Sequence, residues 1–257
     1  MYSPVQFRRK LKKLITGEAF KSARRHLRSP RAGRFPLESD RVMQTVDREE
    51  FEEIRKIYAV DDPGEDWPKY LDLDRWIDIN IRRVRRLDLD LGRPRRILDL
   101  GCGAGYFAYI AQLLGHNVMG LDVTDVPMFA DMTQLFGIQR AIWRIEPFVP
   151  LPDLKRKFDL ITAFMICFNN HKRADLWGVP EWNFFLDDLA KHLAPGGRVC
   201  LELNREYDGT CYTPELKQLF EQRGAEIDNH RVMFAPLIRT TPSPVSSSSL
   251  PQGETDA

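Results

Sequence analysis

Residues 96–106, with the sequence RILDLGCGAGY, constrain this chain more than any other stretch. They predict a buried strand, a glycine-rich turn and the start of a helix. Alternating glycines let the backbone turn sharply without Cβ clashes and bring bare amides close to a ligand. A second apolar strand over 117–121 ends at Asp122, 21 residues after Gly101, a distance that suits an acid that binds the hydroxyls of an adenosine ribose. The sequence therefore predicts a nucleoside-cofactor site in an α/β sheet.

The spacing of the glycines indicates which kind of cofactor is bound. A dinucleotide site follows the pattern G-x-G-x-x-G, whose third glycine allows close helix packing beside a pyrophosphate. Here position 106 is Tyr, and the pattern is Asp99-x-Gly101-x-Gly103-x-Gly105. This spacing disfavours a reductase that uses a nicotinamide cofactor.

The pattern resembles motif I of the class I S-adenosylmethionine-dependent methyltransferases, and the resemblance extends from about residue 70 to residue 234. Asp122 matches the acid that ends the second strand of that family. Glu146 follows an apolar run and matches the position of the residue near the adenine. Residues 158–164 resemble the fourth strand, and residues 193–201 resemble the turn into the fifth strand.

The resemblance implies a three-layer, doubly wound, mostly parallel seven-stranded sheet with the last strand antiparallel, a Rossmann-like fold. It also implies S-adenosyl-L-methionine as the cofactor, with the methionine part on the glycine loop. Three of the side chains assigned to the cofactor also have a structural interpretation. Asp122 is consistent with a helix cap, Glu146 with a surface residue and Tyr70 with a packing residue. The predicted cofactor-binding residues are Tyr70, Asp99, Gly101, Gly103, Gly105, Asp122, Glu146 and Phe164.

Apolar periodicity predicts the remaining elements. Strands alternating with helices imply a parallel sheet with its ligand crevice at the carboxyl ends of the strands.

We divide the chain into a basic amphipathic arm over 1–36, a helical extension over 37–95, a methyltransferase domain over 96–239 and a disordered tail over 240–257. The predicted helices are 48–57, 69–87, 105–114, 127–136, 181–193 and 216–223, and the predicted strands are 97–100, 117–121, 140–145, 158–166, 198–204, 225–227 and 231–234.

Charge is distributed unevenly along the chain. Residues 1–36 contain 11 Lys and Arg against one acid, a net charge of +10, so residues 37–257 carry −9 of the total of +1. A basic amphipathic helix suits an anionic membrane surface or, less well, nucleic acid, and it also suits docking on the acidic body of the protein.

The start of the chain lacks the apolar core of a secretory signal, and the four cysteines lack metal-site or disulfide spacing. We therefore expect a cytoplasmic protein, with peripheral membrane contact as an open alternative.

The acceptor side of the site is predicted to follow the fourth strand, where residues 164–171 have the sequence FMICFNNH. His171 is the candidate general base, because an imidazole titrates near neutral pH, although it lies about two residues later than the histidine of many family members. The alternative is that His171 caps or orders the loop. Asn169 and Asn170 are candidates to bind acceptor hydroxyls or to form an Asx turn. Candidate walls of the acceptor pocket are Trp177, Trp182 and Phe184, but Trp182 and Phe184–Phe185 are equally consistent with a helix core. Asn204 is a further substrate-side candidate.

These features favour methyl transfer to a hydroxyl of a small molecule or glycan. Two alternatives remain open at this point. In one, the protein is an RNA or protein methyltransferase whose basic arm holds an anionic partner. Binding of that partner would depend strongly on salt. In the other, the chain is a non-catalytic cofactor-binding subunit.

Overall fold

The computed structural model describes residues 35–59, 67–166, 168 and 176–238. Within them, seven strands form one sheet in the order β3-β2-β1-β4-β5-β7-β6. The first five strands are parallel, β7 is antiparallel to β5 and β6, and the predicted topology is confirmed. The strands are β1 (Arg96–Leu100), β2 (Asn117–Asp122), β3 (Gln139–Ile142), β4 (Phe158–Ile166), β5 (Leu193–Leu203), β6 (Ala225–Asp228) and β7 (Arg231–Phe234).

Helices flank this sheet and connect its strands. A short 3₁₀ helix, Trp67–Leu71, precedes the third of them. The α-helices are α1 (Ser39–Met43), α2 (Arg48–Tyr58), α3 (Leu73–Arg86), α4 (Tyr106–Leu113), α5 (Pro127–Leu135), α6 (Val179–His192) and α7 (Pro214–Gln222).

The sheet separates two hydrophobic clusters, because successive side chains of a strand point to opposite faces. In β1, Ile97 joins a cluster with buried residues of α1–α5, whereas Leu98 and Leu100 join a cluster with α6 and α7. A strand that is covered on both faces needs apolar side chains on both of them. Ile97, Leu98 and Leu100 supply these side chains in β1, and Asp99 is the one buried polar residue among them. The helical extension before β1 thus packs into the same core as the sheet.

The predicted helix over 69–87 is corrected by the structure. The α-helix begins only at Leu73, because the side chain of Asp72 accepts a hydrogen bond from the backbone N–H of Arg75 at 3.1 Å and caps the helix there. The preceding residues form the separate 3₁₀ turn, which carries Tyr70. Two elements are therefore present where apolar periodicity alone indicated one.

The predicted strand over 140–145 is also corrected, since β3 ends at Ile142. The backbone N–H of Trp143 still bonds to the Asp122 carbonyl at 2.9 Å, and the chain then turns away from the sheet. Arg144 forms an ion pair with Asp125, outside the ladder. Glu146 consequently lies in a loop and does not directly follow a strand. Strand β5, by contrast, begins earlier than its predicted start at 198.

Gly120 in β2 lies tightly against the glycine loop. A Cβ at this position would be 2.7 Å from Sγ and 3.2 Å from Cβ of Cys102. We expect Gly120→Ala to lower the free energy of unfolding by about 1–3 kcal/mol, the usual cost of overpacking a core. Urea denaturation measures this change, and adding Cys102→Ala should recover part of it because the nearest atom is removed. Equal losses in the single and double variants would contradict the packing account.

Candidate active site

The glycine loop between β1 and α4 adopts the backbone conformation that the alternating glycines predict. Gly101, Gly103 and Gly105 have φ values of 61°, 53° and 79°, a region that side chains with a Cβ rarely adopt. The N–H of Gly101 bonds to the Leu121 carbonyl at 2.8 Å, which ties the loop to β2. All three glycines line a cleft of about 210 Å³ at the carboxyl edge of the sheet.

Asp122, the last residue of β2, lies in this cleft and holds the loop. Its carboxylate accepts hydrogen bonds from the N–H of Gly103 at 2.5 Å and from the N–H of Val123 at 2.8 Å. Burial raises the pKa of Asp122, while these two N–H groups oppose the rise. An ionised carboxylate has about four lone-pair directions, so two remain for hydroxyl donors from a ligand.

Asp99 lies at the bottom of the same cleft and is almost completely buried. Its carboxyl group accepts a hydrogen bond from the Thr162 hydroxyl at 2.6 Å. Burial raises the pKa of Asp99 to about 7, with the Thr162 hydrogen bond and the charge of Arg83 acting in the opposite direction. The ionisation of this carboxyl group is therefore sensitive to any charge that enters the cleft.

Aromatic rings form the wall opposite the glycine loop. The ring of Tyr70 stacks on Trp76 with centroids 4.7 Å apart and meets Phe129 edge-on at 5.3 Å. The Tyr106 hydroxyl donates a hydrogen bond to the Tyr70 carbonyl at 2.7 Å, so the residue that replaces the third glycine holds the 3₁₀ turn over the cleft. Phe164 packs edge-on against Phe107 at 4.7 Å.

Arg83 of α3 is a cleft residue that the sequence did not single out. Its guanidinium lies 4.3 Å from the Phe164 ring centroid and bonds to Glu202 at 2.9 Å and to Asn80 at 3.1 Å. Arg86 also contacts Glu202, at 3.1 Å. These contacts fix a positive charge beside Asp99. Asn80 is a polar residue on the otherwise apolar buried face of α3, and it was the one available sequence signal for this cluster.

A second cleft, of about 510 Å³, continues from the first. Residues that line both are Gly101, Asp122, Phe129, Phe164 and Met165. Its outer walls come from the segments after β2 and β3, including Trp143 and the exposed Glu146, and from Phe168 and Trp177. The buried Nε1 of Trp143 has no hydrogen-bond partner within the described part of the chain.

The predicted catalytic residues Asn169, Asn170 and His171 lie outside the described residues and stay predictions. Their described neighbours are at the second cleft: the rings of Phe168 and Trp177 stack with centroids 4.0 Å apart, and the Trp177 N–H bonds to the Phe168 carbonyl at 2.8 Å.

The three candidate wall residues have different positions. Trp177 lines the second cleft, as its wall assignment predicted. Trp182 is completely buried in the core, so of its two interpretations the helix-core one is confirmed and the wall one is wrong. Phe184 packs against Phe148 and is not among the cleft residues. Asn204, the further candidate, donates a hydrogen bond from its side chain to the Met165 carbonyl at 3.0 Å.

Across the described ranges, no group of His, Cys, Asp and Glu side chains is arranged to hold a metal ion. Cys102, Cys200 and Cys211 are free, and burial raises the pKa of all three thiols. None of the helices described is long and apolar enough to cross a bilayer. The basic segment over 1–36 lies almost entirely outside the described residues, so its membrane contact stays a prediction.

Comparison with known proteins agrees with this geometry. A family model described as "Methyltransferase domain" matches residues 73–234, more than half of the chain. The Ubiquinone biosynthesis O-methyltransferase of Pseudomonas putida (strain W619) is 26% identical over 136 residues, which cover 52% of this chain and 55% of that relative. The chain thus spans about half the length of the curated relatives it matches.

Solved structures with local similarity include two methyltransferases. CalS10, an amino pentose methyltransferase from Micromonospora echinaspora, is 27% identical with a TM-score of 0.39, covering 49% of this chain and 50% of that one. A TehB-like methyltransferase from Corynebacterium glutamicum is 19% identical with a TM-score of 0.44, and the match covers 65% of this chain and 87% of that one. The family match and the site geometry together identify the chain as a member of the class I S-adenosylmethionine-dependent methyltransferases.

Proposed function

We propose that this protein transfers a methyl group from S-adenosylmethionine to a hydroxyl group of a small molecule or glycan. The observation that carries the proposal is the continuity of the two clefts. The first contains the glycine loop and the second extends past Asp122 to the wall formed by Phe168 and Trp177. A cofactor can therefore extend from the glycine loop into the second cleft, with its adenosine part toward Trp143 and Glu146, and the acceptor has space toward Phe168 and Trp177. Both lie at the carboxyl edge of the sheet, where ligands of open α/β sheets bind.

Features of the two clefts fit this cofactor. The left-handed glycines leave a cradle without side chains, and Asp122 keeps lone pairs for two ribose hydroxyls. The unpartnered indole N–H of Trp143 offers a donor to the adenosine part. Arg83 and Asp99 supply opposite charges, which suit the carboxylate and the ammonium of a methionine moiety.

The cofactor supplies a methyl group on a positively charged sulfur, which is an excellent leaving group. The protein's task is then to hold the acceptor oxygen in line with that methyl group and to exclude water. Phe129, Phe164 and Met165 border both clefts and are placed to orient the reacting groups. Alcohol and sugar hydroxyls also require a base, and we assign that role to His171, with Asn169 and Asn170 binding the acceptor.

The name of the curated relatives, an O-methyltransferase, supports oxygen as the acceptor atom. Incubation with S-adenosylmethionine carrying a labelled methyl group, in the presence of catechols, phenols, free sugars, amino sugars, RNA and protein, tests the proposal by mass spectrometry. We expect label on an oxygen of at least one acceptor class. Label found only on RNA or protein, or on nitrogen, would contradict the proposal. S-adenosylhomocysteine binding without any transfer would instead support a non-catalytic subunit.

We expect His171→Gln to lower turnover by about 10²–10⁴-fold, the usual contribution of a general base, and to leave the affinity for S-adenosylhomocysteine unchanged. Turnover of the wild-type protein should rise with pH through the titration of the imidazole, and the variant should lose that limb of the profile. His192→Gln is the matched control, since His192 ends α6 at the opposite edge of the sheet. An unchanged pH profile in His171→Gln would remove His171 from the mechanism.

A further inference from the structure

Strand β4 departs from regular geometry where it reaches the cleft. Phe164 of β4 pairs with Glu202 of β5. The next pair is Ile166 with Leu203, so β4 contains one residue more than β5 between the two pairs. That extra residue is Met165, and its φ is 60°, in the left-handed region that bulky side chains avoid. An extra residue of this kind forms a β-bulge, which re-aims side chains and is common next to active sites.

The bulge redirects the Met165 side chain. Successive side chains of a strand point to opposite faces, and Ile161 and Ala163 belong to the hydrophobic cluster on the side of α6 and α7. Regular alternation would place Met165 with them. Met165 is instead 46% exposed, and it lines both clefts together with its neighbour Phe164. Two consecutive residues of one strand therefore border the same space, which regular alternation does not allow.

The side chain of Asn204 holds the bulge in place. Asn204 follows the last residue of β5, and its Nδ2 donates a hydrogen bond to the Met165 carbonyl at 3.0 Å. This bond connects the ends of two neighbouring strands at the point where their ladder is interrupted. A bulky residue persists in the left-handed region only where its surroundings fix it, because the conformation costs free energy. Asn204 is therefore placed to keep Met165 in the cleft.

We propose that Met165 borders the point of methyl transfer and that Asn204 is the positioning residue that keeps it there. This inference rests on the proposed function, in which the methyl group passes from the cofactor toward an acceptor near Phe168 and Trp177. That path crosses the junction of the two clefts. Of the five residues that line both clefts, Met165 is the one with an exposed side chain. Its thioether chain is thus placed to contact the methyl group and to exclude water from it.

Loss of the Asn204 amide should let Met165 relax to an extended backbone and turn its side chain out of the cleft. The glycine loop and Asp122 would still hold the cofactor. Glycine adopts the left-handed backbone without steric cost, so a Met165→Gly variant keeps the bulge without the amide but lacks the side chain. Both substitutions should therefore remove the same contact, and combining them should add nothing.

NMR of bound S-adenosylmethionine with an isotopically labelled methyl carbon tests the proposal, because the chemical shift of that methyl group reports on the atoms in contact with it. We expect Met165→Gly and Asn204→Ala each to move the bound resonance, and the double variant to match Met165→Gly. The affinity for S-adenosylhomocysteine, measured by calorimetry, should stay within a few-fold of the wild-type value in all three variants.

Asn117→Ala is the matched control. Asn117 begins β2 at the opposite edge of the sheet, where its side chain accepts a hydrogen bond from Arg156 at 2.9 Å. Its replacement should leave the methyl resonance unchanged. An unchanged resonance in either Met165→Gly or Asn204→Ala, or additive changes in the double variant, would overturn the proposal. A large loss of S-adenosylhomocysteine affinity in Asn204→Ala would also overturn it, since Asn204 would then act on the cofactor itself.

Urea denaturation of the cofactor-free protein separates this inference from the proposed function. Asn204→Ala should lower the midpoint of unfolding less in the Met165→Gly background than in the wild-type background, because the two residues are coupled. Equal changes in both backgrounds would overturn the inference alone, as would coupling without any change in the methyl resonance. Failure of S-adenosylmethionine to bind would overturn the proposed function, and this inference with it.

Discussion

Replacement of Asp122 by Ala should weaken the binding of S-adenosylhomocysteine at least about 100-fold. Hydrogen bonds to a charged group contribute about 1.5–3 kcal/mol each, and the variant loses those to two ribose hydroxyls. It also removes the acceptors for the Gly103 and Val123 N–H groups, so the glycine loop loses its attachment to the end of β2. Isothermal titration calorimetry measures the affinity directly.

Asp125→Ala provides the matched control for this prediction. Asp125 lies three residues further along, also lines the second cleft and is paired with Arg144. Loss of this exposed pair should change the affinity only a few-fold, because surface ion pairs contribute little. Equal effects of the two substitutions would show that general charge in the cleft, and not the position of Asp122, determines binding.

Asp99→Asn should stabilise the cofactor-free protein at pH 8. The carboxyl group has a pKa of about 7 in the folded state, against 3.8 for an ordinary aspartate. Because the pKa is higher in the folded state, Asp99 carries a proton in the folded protein and none in the unfolded protein between about pH 4 and pH 7. The free energy of unfolding therefore falls as pH rises through this range. Above pH 7 the penalty is complete, on the order of 4 kcal/mol.

The asparagine variant avoids this penalty and can still accept the hydrogen bond from Thr162. Urea denaturation at pH 8 and pH 4.5 should show a large stabilisation at the higher pH and a small one at the lower. Affinity for S-adenosylhomocysteine should fall, because a neutral amide no longer attracts the ammonium group. A variant that is less stable than the wild-type protein at pH 8 would contradict the burial account of Asp99.

The fold and the glycine loop could be predicted because their signals are local. Left-handed positions at Gly101, Gly103 and Gly105 need no tertiary contact to be recognised. In β1, the apolar residues Ile97, Leu98 and Leu100 indicate burial on both faces. The order and direction of the strands then follow from the resemblance of the whole segment to one family.

Other parts of the site depend on contacts between distant segments. Arg83 becomes a cleft residue through Glu202, which lies 119 residues away, and no spacing rule connects the two. The break before Leu73 depends on one capping side chain, and no periodicity marks the end of β3 at Ile142. Trp182 kept two interpretations in the sequence, because an aromatic residue in a predicted helix suits a pocket wall as well as a core, and its burial in the fold decides for the core.

Titration of the purified wild-type protein with S-adenosylhomocysteine, with NADH as the comparison ligand, tests the central claim most directly. The structure predicts micromolar binding of S-adenosylhomocysteine and no binding of NADH, because Tyr106 takes the place of the third glycine and its hydroxyl holds the turn at Tyr70. Binding of NADH, or of neither ligand, would contradict the assignment of the cleft.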